Sequence, residues 1–183
     1  MAILQELMGQ EIYDLLYTHH NKNGGLIEDM EDVFYCDEDE IPQARILKLE
    51  SLLIPITDAK SSLVPIEAAK LLAAWGSEKA IDYFEYCIDS RIDRLGNLEP
   101  HRLHNYDTTY EEIVDFCIRY QTRYAQKDYI KSKTYNGVLG EAAKARILSP
   151  ISKVILLSKE IVVDMGHMIS VFKDGDWKKC LPA

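Results

Sequence analysis

The apolar residues of this chain step by three and four along most of its length, and that period decides what the chain can fold into. The clearest case is Tyr110, Ile113, Cys117, Tyr120 and Tyr124, which step by three, four, three and four and mark one face of a long helix. Ile3, Leu4, Leu7, Met8, Ile12, Leu15 and Leu16 make a stripe of the same kind, which predicts one helix running past His19-His20 to a stop at Gly24-Gly25. Leu26, Ile27, Met30, Val33 and Phe34 predict a short amphipathic helix with an acidic outer face. Pro42 suits the first turn of the next helix, which carries Ala44, Ile46, Leu47, Leu49, Leu52 and Leu53 toward Pro55.

Further along, Ser61-Ser62 offer caps for a helix with Pro65 in its first turn. Gly76 ends that helix, and Ser77 starts another that buries Ala80, Ile81, Phe84, Cys87 and Ile88 and stops at Gly96. Thr108 with Glu111, or Thr109 with Glu112, reads as a capping box before the long tyrosine-bearing helix. Tyr135-Asn136-Gly137 is a turn, followed by helical segments at 138–148, 151–163 and 167–172, interrupted at Pro150 and Gly166. The β-compatible run Ile161-Val162-Val163 has no neighbouring alternation or hairpin signal and is taken as helix. The expected fold is all-α: stacked helical hairpins, as a solenoid or a compact irregular bundle, in a single domain over 1–183. Its length of 183 residues is enough to bury a core without disulfide or metal staples.

Within it, Ala69-x-x-Leu72-x-x-Trp75-Gly76-Ser77-x-x-Ala80-Ile81-x-x-Phe84 joins two helices through a tight turn, with small residues at the close approach. This segment resembles a HEAT-type repeat, over residues 62–92. Ala44-Arg45-Ile46-Leu47 recurs as Ala145-Arg146-Ile147-Leu148, each placed to lead an apolar helix. Units of about 40–47 residues would fit roughly four times. The resemblance implies helix pairs stacked into a right-handed solenoid, in which no pair buries its apolar face alone. The irregular connection at 97–107 departs from the repeat and leaves a bundle open.

Charge is distributed unevenly. Residues 1–50 hold 12 acids and 3 bases, and residues 51–183 hold 18 of each, so the whole formal charge of −9 lies in the first quarter. Most of it falls in 28–40, where Glu28, Asp29, Glu31, Asp32, Asp37, Glu38, Asp39 and Glu40 occur without a base. Such a balance argues against nucleic acid and against an anionic membrane surface. The run reads either as a solvated acidic face or as a docking surface for a basic protein, and in the second case the eight acids are the candidate partner-binding residues. The run lacks the glycine and the spaced terminal glutamate of a calcium-binding loop.

Other chemistry is weakly signalled. Cys36, Cys87, Cys117 and Cys180 have no metal or disulfide spacing and read as reduced thiols, with Cys87 and Cys117 in the core. The chain starts without a basic leader and has no apolar run long enough for a membrane span, so a cytoplasmic location is expected. His19-His20 reads as a solvated helix end, and His101-x-x-His104 as an exposed connection rather than a metal site. No phosphate loop, dinucleotide fingerprint or nucleophile elbow occurs, and Gly137-x-x-Gly140 lacks the Lys and Ser/Thr of a phosphate loop. No cofactor, no metal and no catalytic residue is expected.

In size, acidity and helical build the chain resembles the bacterial immunity proteins that neutralise toxins, including those of contact-dependent inhibition systems. That resemblance implies a non-catalytic protein that binds a basic toxin nuclease domain tightly and covers its active site. Two other functions are carried by HEAT-like helix pairs: a scaffold or chaperone-type helper, and a DNA glycosylase. The second requires a basic groove that this sequence does not suggest.

Overall fold

A computed structural model describes residues 2–98 and 106–164. His101, His104, Cys180 and the expected helix at 167–172 lie outside the described residues. The fold is all-α: eight α-helices and a two-stranded hairpin among the described residues. In chain order these are α1 (Ala2–Met8), α2 (Gln10–Tyr17), β1 (His19–His20), β2 (Leu26–Ile27), α3 (Met30–Tyr35), α4 (Gln43–Glu50), α5 (Leu63–Ala74), α6 (Glu78–Asp89), α7 (Thr109–Ser132) and α8 (Val138–Leu157).

Two helical hairpins form the centre. α5 packs on α6 and α7 on α8, while α5 also lies against α7 and α6 against α8, so the hairpins stack as two layers. The α5–α6 turn is a Schellman cap. Gly76 takes φ +85°, its N–H donates to the Ala73 carbonyl, and the Ser77 N–H donates to the Leu72 carbonyl, both at 2.9 Å. Ala69, Leu72 and Ala80 have no exposed surface, and Phe84 and Trp75 are also buried. The pair expected at 62–92 is therefore present. The four-unit repeat is not, because the residues before α5 make short elements instead of two further hairpins.

The second hairpin closes on two glycines. A Cβ on Gly137 would lie 2.3 Å from Asp128 Cγ, and one on Gly140 would lie 2.9 Å from the Tyr135 carbonyl oxygen and 3.2 Å from Ala125 Cα. Asp128, buried on α7, accepts the Gly140 N–H at 2.7 Å and so satisfies an orphan donor in the first turn of α8. Gly137 and Gly140 thus admit the carboxylate and the neighbouring helix.

Several expectations about element boundaries are corrected. The first apolar stripe is carried by two helices, because Gly9 sits at φ +78° between them. The second ends at Tyr17, and His19-His20 pairs antiparallel with Leu26-Ile27. His19 is 2% exposed, not a solvated helix end, and Leu26 and Ile27 are strand rather than helix. Ser62 holds the N-cap position of α5 but makes no side-chain capping bond; Asp58 caps a short 3-10 turn at Ala59–Ser61 that leads into it. At the start of α7 the Thr109 N–H is accepted by Asp107, not by a Thr-Glu box, while Glu112 pairs with Lys70. Pro150 is inside α8 without ending it, and Ile161-Val162-Val163 lies beyond the helix end at Leu157.

The repeated tetrapeptide has two fates. Arg45, on α4, donates to the Leu15 and Thr18 carbonyls at 2.7 and 2.6 Å at the end of α2, and its guanidinium lies 4.9 Å over the Trp75 ring. Arg146 sits mid-way along α8, leading nothing, and forms surface ion pairs with Asp82 and Glu85 on α6.

Candidate protein-docking surface

The acidic segment is laid along one face of α7. Asp29 caps α3 by accepting the N–H groups of Glu31 at 2.9 Å and Asp32 at 3.4 Å. The cap turns Val33 and Phe34 into the core and leaves Met30 and Tyr35 outside, 43% and 50% exposed. Three residues of α7 spaced by four then hold the segment. Arg119 makes a bidentate pair with Glu31 at 2.8 and 2.9 Å, Arg123 donates to the Cys36 carbonyl at 2.9 Å, and Lys127 reaches Glu38 at 3.1 Å. Residues four apart share a helix face, so α7 presents a cationic ladder beside its buried tyrosine stripe, with Lys127 Nζ 4.9 Å over the Tyr124 ring. The Arg119 guanidinium also lies 5.2–5.3 Å from the ring centres of Phe34, Tyr35 and Phe116.

The far end of the segment folds back on the β-hairpin. Lys22 Nζ contacts Asp37 at 3.0 Å and Asp39 at 3.1 Å, and the Lys22 N–H donates to Glu40 at 2.9 Å. The other Glu40 oxygen faces buried His19 Nε2 at 3.5 Å. Hydrogen bonding to Lys22 holds the Asp37 carboxyl below its ordinary range and raises the Lys22 ammonium. The hydrogen bonds that Arg119 donates to Glu31 likewise raise the guanidinium.

The eight predicted contact residues are therefore brought together but not used alike. Asp29 is a helix cap. Glu31, Asp37, Glu38, Asp39 and Glu40 have partners within the fold. Glu28 and Asp32 are exposed and have no side-chain partner among the described residues. The paired acids remain open to water, with Asp37, Glu38 and Asp39 side chains 71–72% exposed, so solvent screens these pairs and the field of the segment is reduced rather than cancelled.

The ladder is the part that sequence reasoning missed. Its spacing is legible in Arg119, Arg123 and Lys127, but its acidic partners are about ninety residues away in sequence. Of the tyrosines on α6 and α7, Tyr83, Tyr110 and Tyr120 are buried, and Tyr86 and Tyr124 are partly so. Their hydroxyls tie the core to loops, Tyr83 donating to the Ile54 carbonyl and Tyr124 to the Gly76 carbonyl.

Reactive chemistry has few candidates. Cys36, Cys87 and Cys117 are buried free thiols, and burial raises all three, Cys87 to about 12, so they are held protonated. Lys70 is buried; its desolvation opposes the charge, but Glu67 and Glu112 outweigh it and keep the ammonium. Tyr17 donates to Glu67 at 2.8 Å and completes that network. Among the described residues no group of three or more His, Cys, Asp or Glu could hold a metal ion, and no helix is long and apolar enough to cross a membrane. A cleft lined by Leu7, Ala59, Lys60, Leu63, Val64, Asn97 and Leu98 is mainly apolar and gathers no acid–base pair.

No protein-family model, no curated protein and no solved structure matches the chain.

Proposed function

We propose that this is a non-catalytic binding protein whose acidic segment docks a basic protein, and that it acts as an immunity protein against a toxin nuclease. The observation that carries this reading is the attachment of residues 28–40 to α7. Three cationic side chains hold the segment in one shape, with Glu28 and Asp32 unpaired and Met30 and Tyr35 exposed beside them. A surface fixed before binding loses less entropy on association. Acids at its rim would steer a cationic partner, and Tyr35 and Met30 would supply the desolvated contact that slows release. Nucleases present cationic channels to their phosphate-backbone substrates, so an anionic surface of fixed shape can occupy such a channel and exclude the substrate.

The test is capture of partners from the source cell, followed by binding kinetics with the purified partner. The variant E28Q/D32N removes only unpaired carboxylates, whereas D37N/D39N removes acids already paired to Lys22. The expected result is a basic nuclease whose association slows about tenfold with E28Q/D32N and less with D37N/D39N, with a weaker dependence on salt. A partner that is not basic, or equal binding by both variants and wild type at low salt, overturns the reading.

A further inference from the structure

The sequence carries two Asn-Gly pairs, Asn23-Gly24 and Asn136-Gly137, and the fold treats them differently. An asparagine followed by glycine is chemically labile. The glycine backbone nitrogen attacks the asparagine side-chain carbonyl carbon, and without a Cβ the glycine leaves that approach open. The rate in a folded chain depends on two things: whether the glycine N–H is already bonded, and whether the asparagine side chain is free to turn.

At the first pair the nitrogen is engaged. The Gly24 N–H donates to the Asn21 carbonyl at 2.8 Å. The Asn21 side chain accepts the Asn23 and Gly25 N–H groups at 3.0 and 2.9 Å, so the whole turn between β1 and β2 is tied. At the second pair the nitrogen is open. Gly137 holds the N-cap position of α8, and its N–H has no acceptor among the described residues. Asn136 is exposed, and its side chain has no hydrogen bond among the described residues. Its backbone N–H alone is held, by the Thr134 hydroxyl at 3.3 Å.

We propose that Asn136 is a site of spontaneous deamidation, and that isoaspartate formed there undoes the cap at the start of α8. The Gly137 nitrogen forms a bond to Asn136 Cγ and gives up its proton. The side-chain amide nitrogen takes that proton and leaves as ammonia, which closes a cyclic imide. Water then opens the imide. Attack at the side-chain carbonyl gives aspartate. Attack at the backbone carbonyl gives isoaspartate, whose main chain runs through the side chain and is longer by a methylene.

That methylene enters where the chain has no slack. Gly137 lies so close to Asp128 that a Cβ on it would stand 2.3 Å from the Asp128 Cγ, and Asp128 accepts the Gly140 N–H at 2.7 Å. Displacing Gly137 moves the first turn of α8 off this carboxylate and leaves the Gly140 donor, in a buried residue, without its partner. Neither Asn136 nor Gly137 belongs to the acidic segment, so the inference stands apart from partner docking.

The full chain is aged folded and, in parallel, in urea, both at mildly alkaline pH, and conversion at each asparagine is followed by peptide mapping with mass spectrometry. Relative to its own rate in urea, Asn136 in the folded chain should convert about fivefold faster than Asn23, the factor that one retained hydrogen bond at Gly24 is worth. Equal relative rates, a faster Asn23, or a folded chain intact at Asn136 while the urea sample converts, each overturn the site. Ion exchange then isolates the folded deamidated chain, which is enriched in isoaspartate. Hydrogen exchange in the first turn of its α8 should be faster than in freshly purified Asn136→Asp, which adds the same charge without the methylene. Equal exchange in the two overturns the loss of the cap.

Discussion

The two halves of this molecule are held together by different physics. α5 to α8 are 12, 12, 24 and 20 residues long, and nine residues of α5 are buried. Before α5, no helix exceeds eight residues, and α4 buries only Leu49 while α3 buries Val33 and Phe34. Helices that short do not persist alone in water. They are attached through side chains that reach backbone carbonyls. Arg45 binds the end of α2, Trp75 Nε1 donates to the Val33 carbonyl at 3.0 Å, Arg123 holds the Cys36 carbonyl, and Tyr83 holds Ile54. The long helices supply most of the burial; the N-terminal segments add fewer core side chains, Leu16, Val33, Phe34 and Leu49 among them, and are fastened further by these polar contacts. A surface tethered in this way can open locally without global unfolding.

The largest expected effect is in the stacked hairpins. Leu72 has no exposed surface and lies in α5, the helix against which most other elements pack. Leu72→Ala should lower the unfolding free energy by about 2–5 kcal/mol, from lost burial and the cavity left behind. Urea denaturation followed by helical signal measures it, and the whole transition should move as one. A loss below about 0.5 kcal/mol would place this side chain with ordinary surface positions and contradict the packing described.

The same contrast explains what could be read from the sequence. In α5, α6 and α7 a helix period of apolar residues coincides with the buried face, so Ala69, Leu72, Ala80, Phe84, Ile113 and Cys117 were legible as core, and Gly76 as the turn. Around the N-terminus the period misleads. The stripe from Leu4 to Leu16 crosses Gly9 because both short helices contribute to the same core. A strand of two residues, His19-His20, is too short to alternate. Pro150 was expected to break a helix, yet α8 continues through it, where it is buried. The acidic run was visible as charge, but its division into cap, paired and unpaired carboxylates depends on Arg119, Lys127 and Lys22, which only the fold brings near.

An intermediate effect should separate the two halves. Arg45 is largely buried and satisfies the Leu15 and Thr18 carbonyls. Arg45→Met keeps the apolar stem but leaves those acceptors without their donor, at an expected cost of about 1–3 kcal/mol. Hydrogen exchange should show faster exchange in α2, the β-hairpin and α3 and unchanged protection in α5 to α8. Uniform acceleration across all helices would mean that the N-terminal segments are integral to the core, and the division drawn above would fail.

The smallest expected effect concerns the ladder itself, and it bears most directly on function. Arg119 and Glu31 form a bidentate pair, but the Glu31 side chain is 59% exposed and that of Arg119 24%. Exposed pairs of this kind are worth about 0.2–1 kcal/mol, and salt weakens them. A double-mutant cycle with Glu31→Gln and Arg119→Gln should therefore give a coupling in that range, falling as ionic strength rises. Arg119→Gln alone should cost more than Glu31→Gln alone, because it also removes the guanidinium from Phe34, Tyr35 and Phe116. The stability change is small, yet the pair fixes where α3 sits on α7, so its loss should appear mainly in exchange of the α3 amides. Equal costs for the two single variants, with no coupling, would mean that α3 is placed by Val33, Phe34 and Trp75 alone and that the ladder only decorates a segment already fixed by burial.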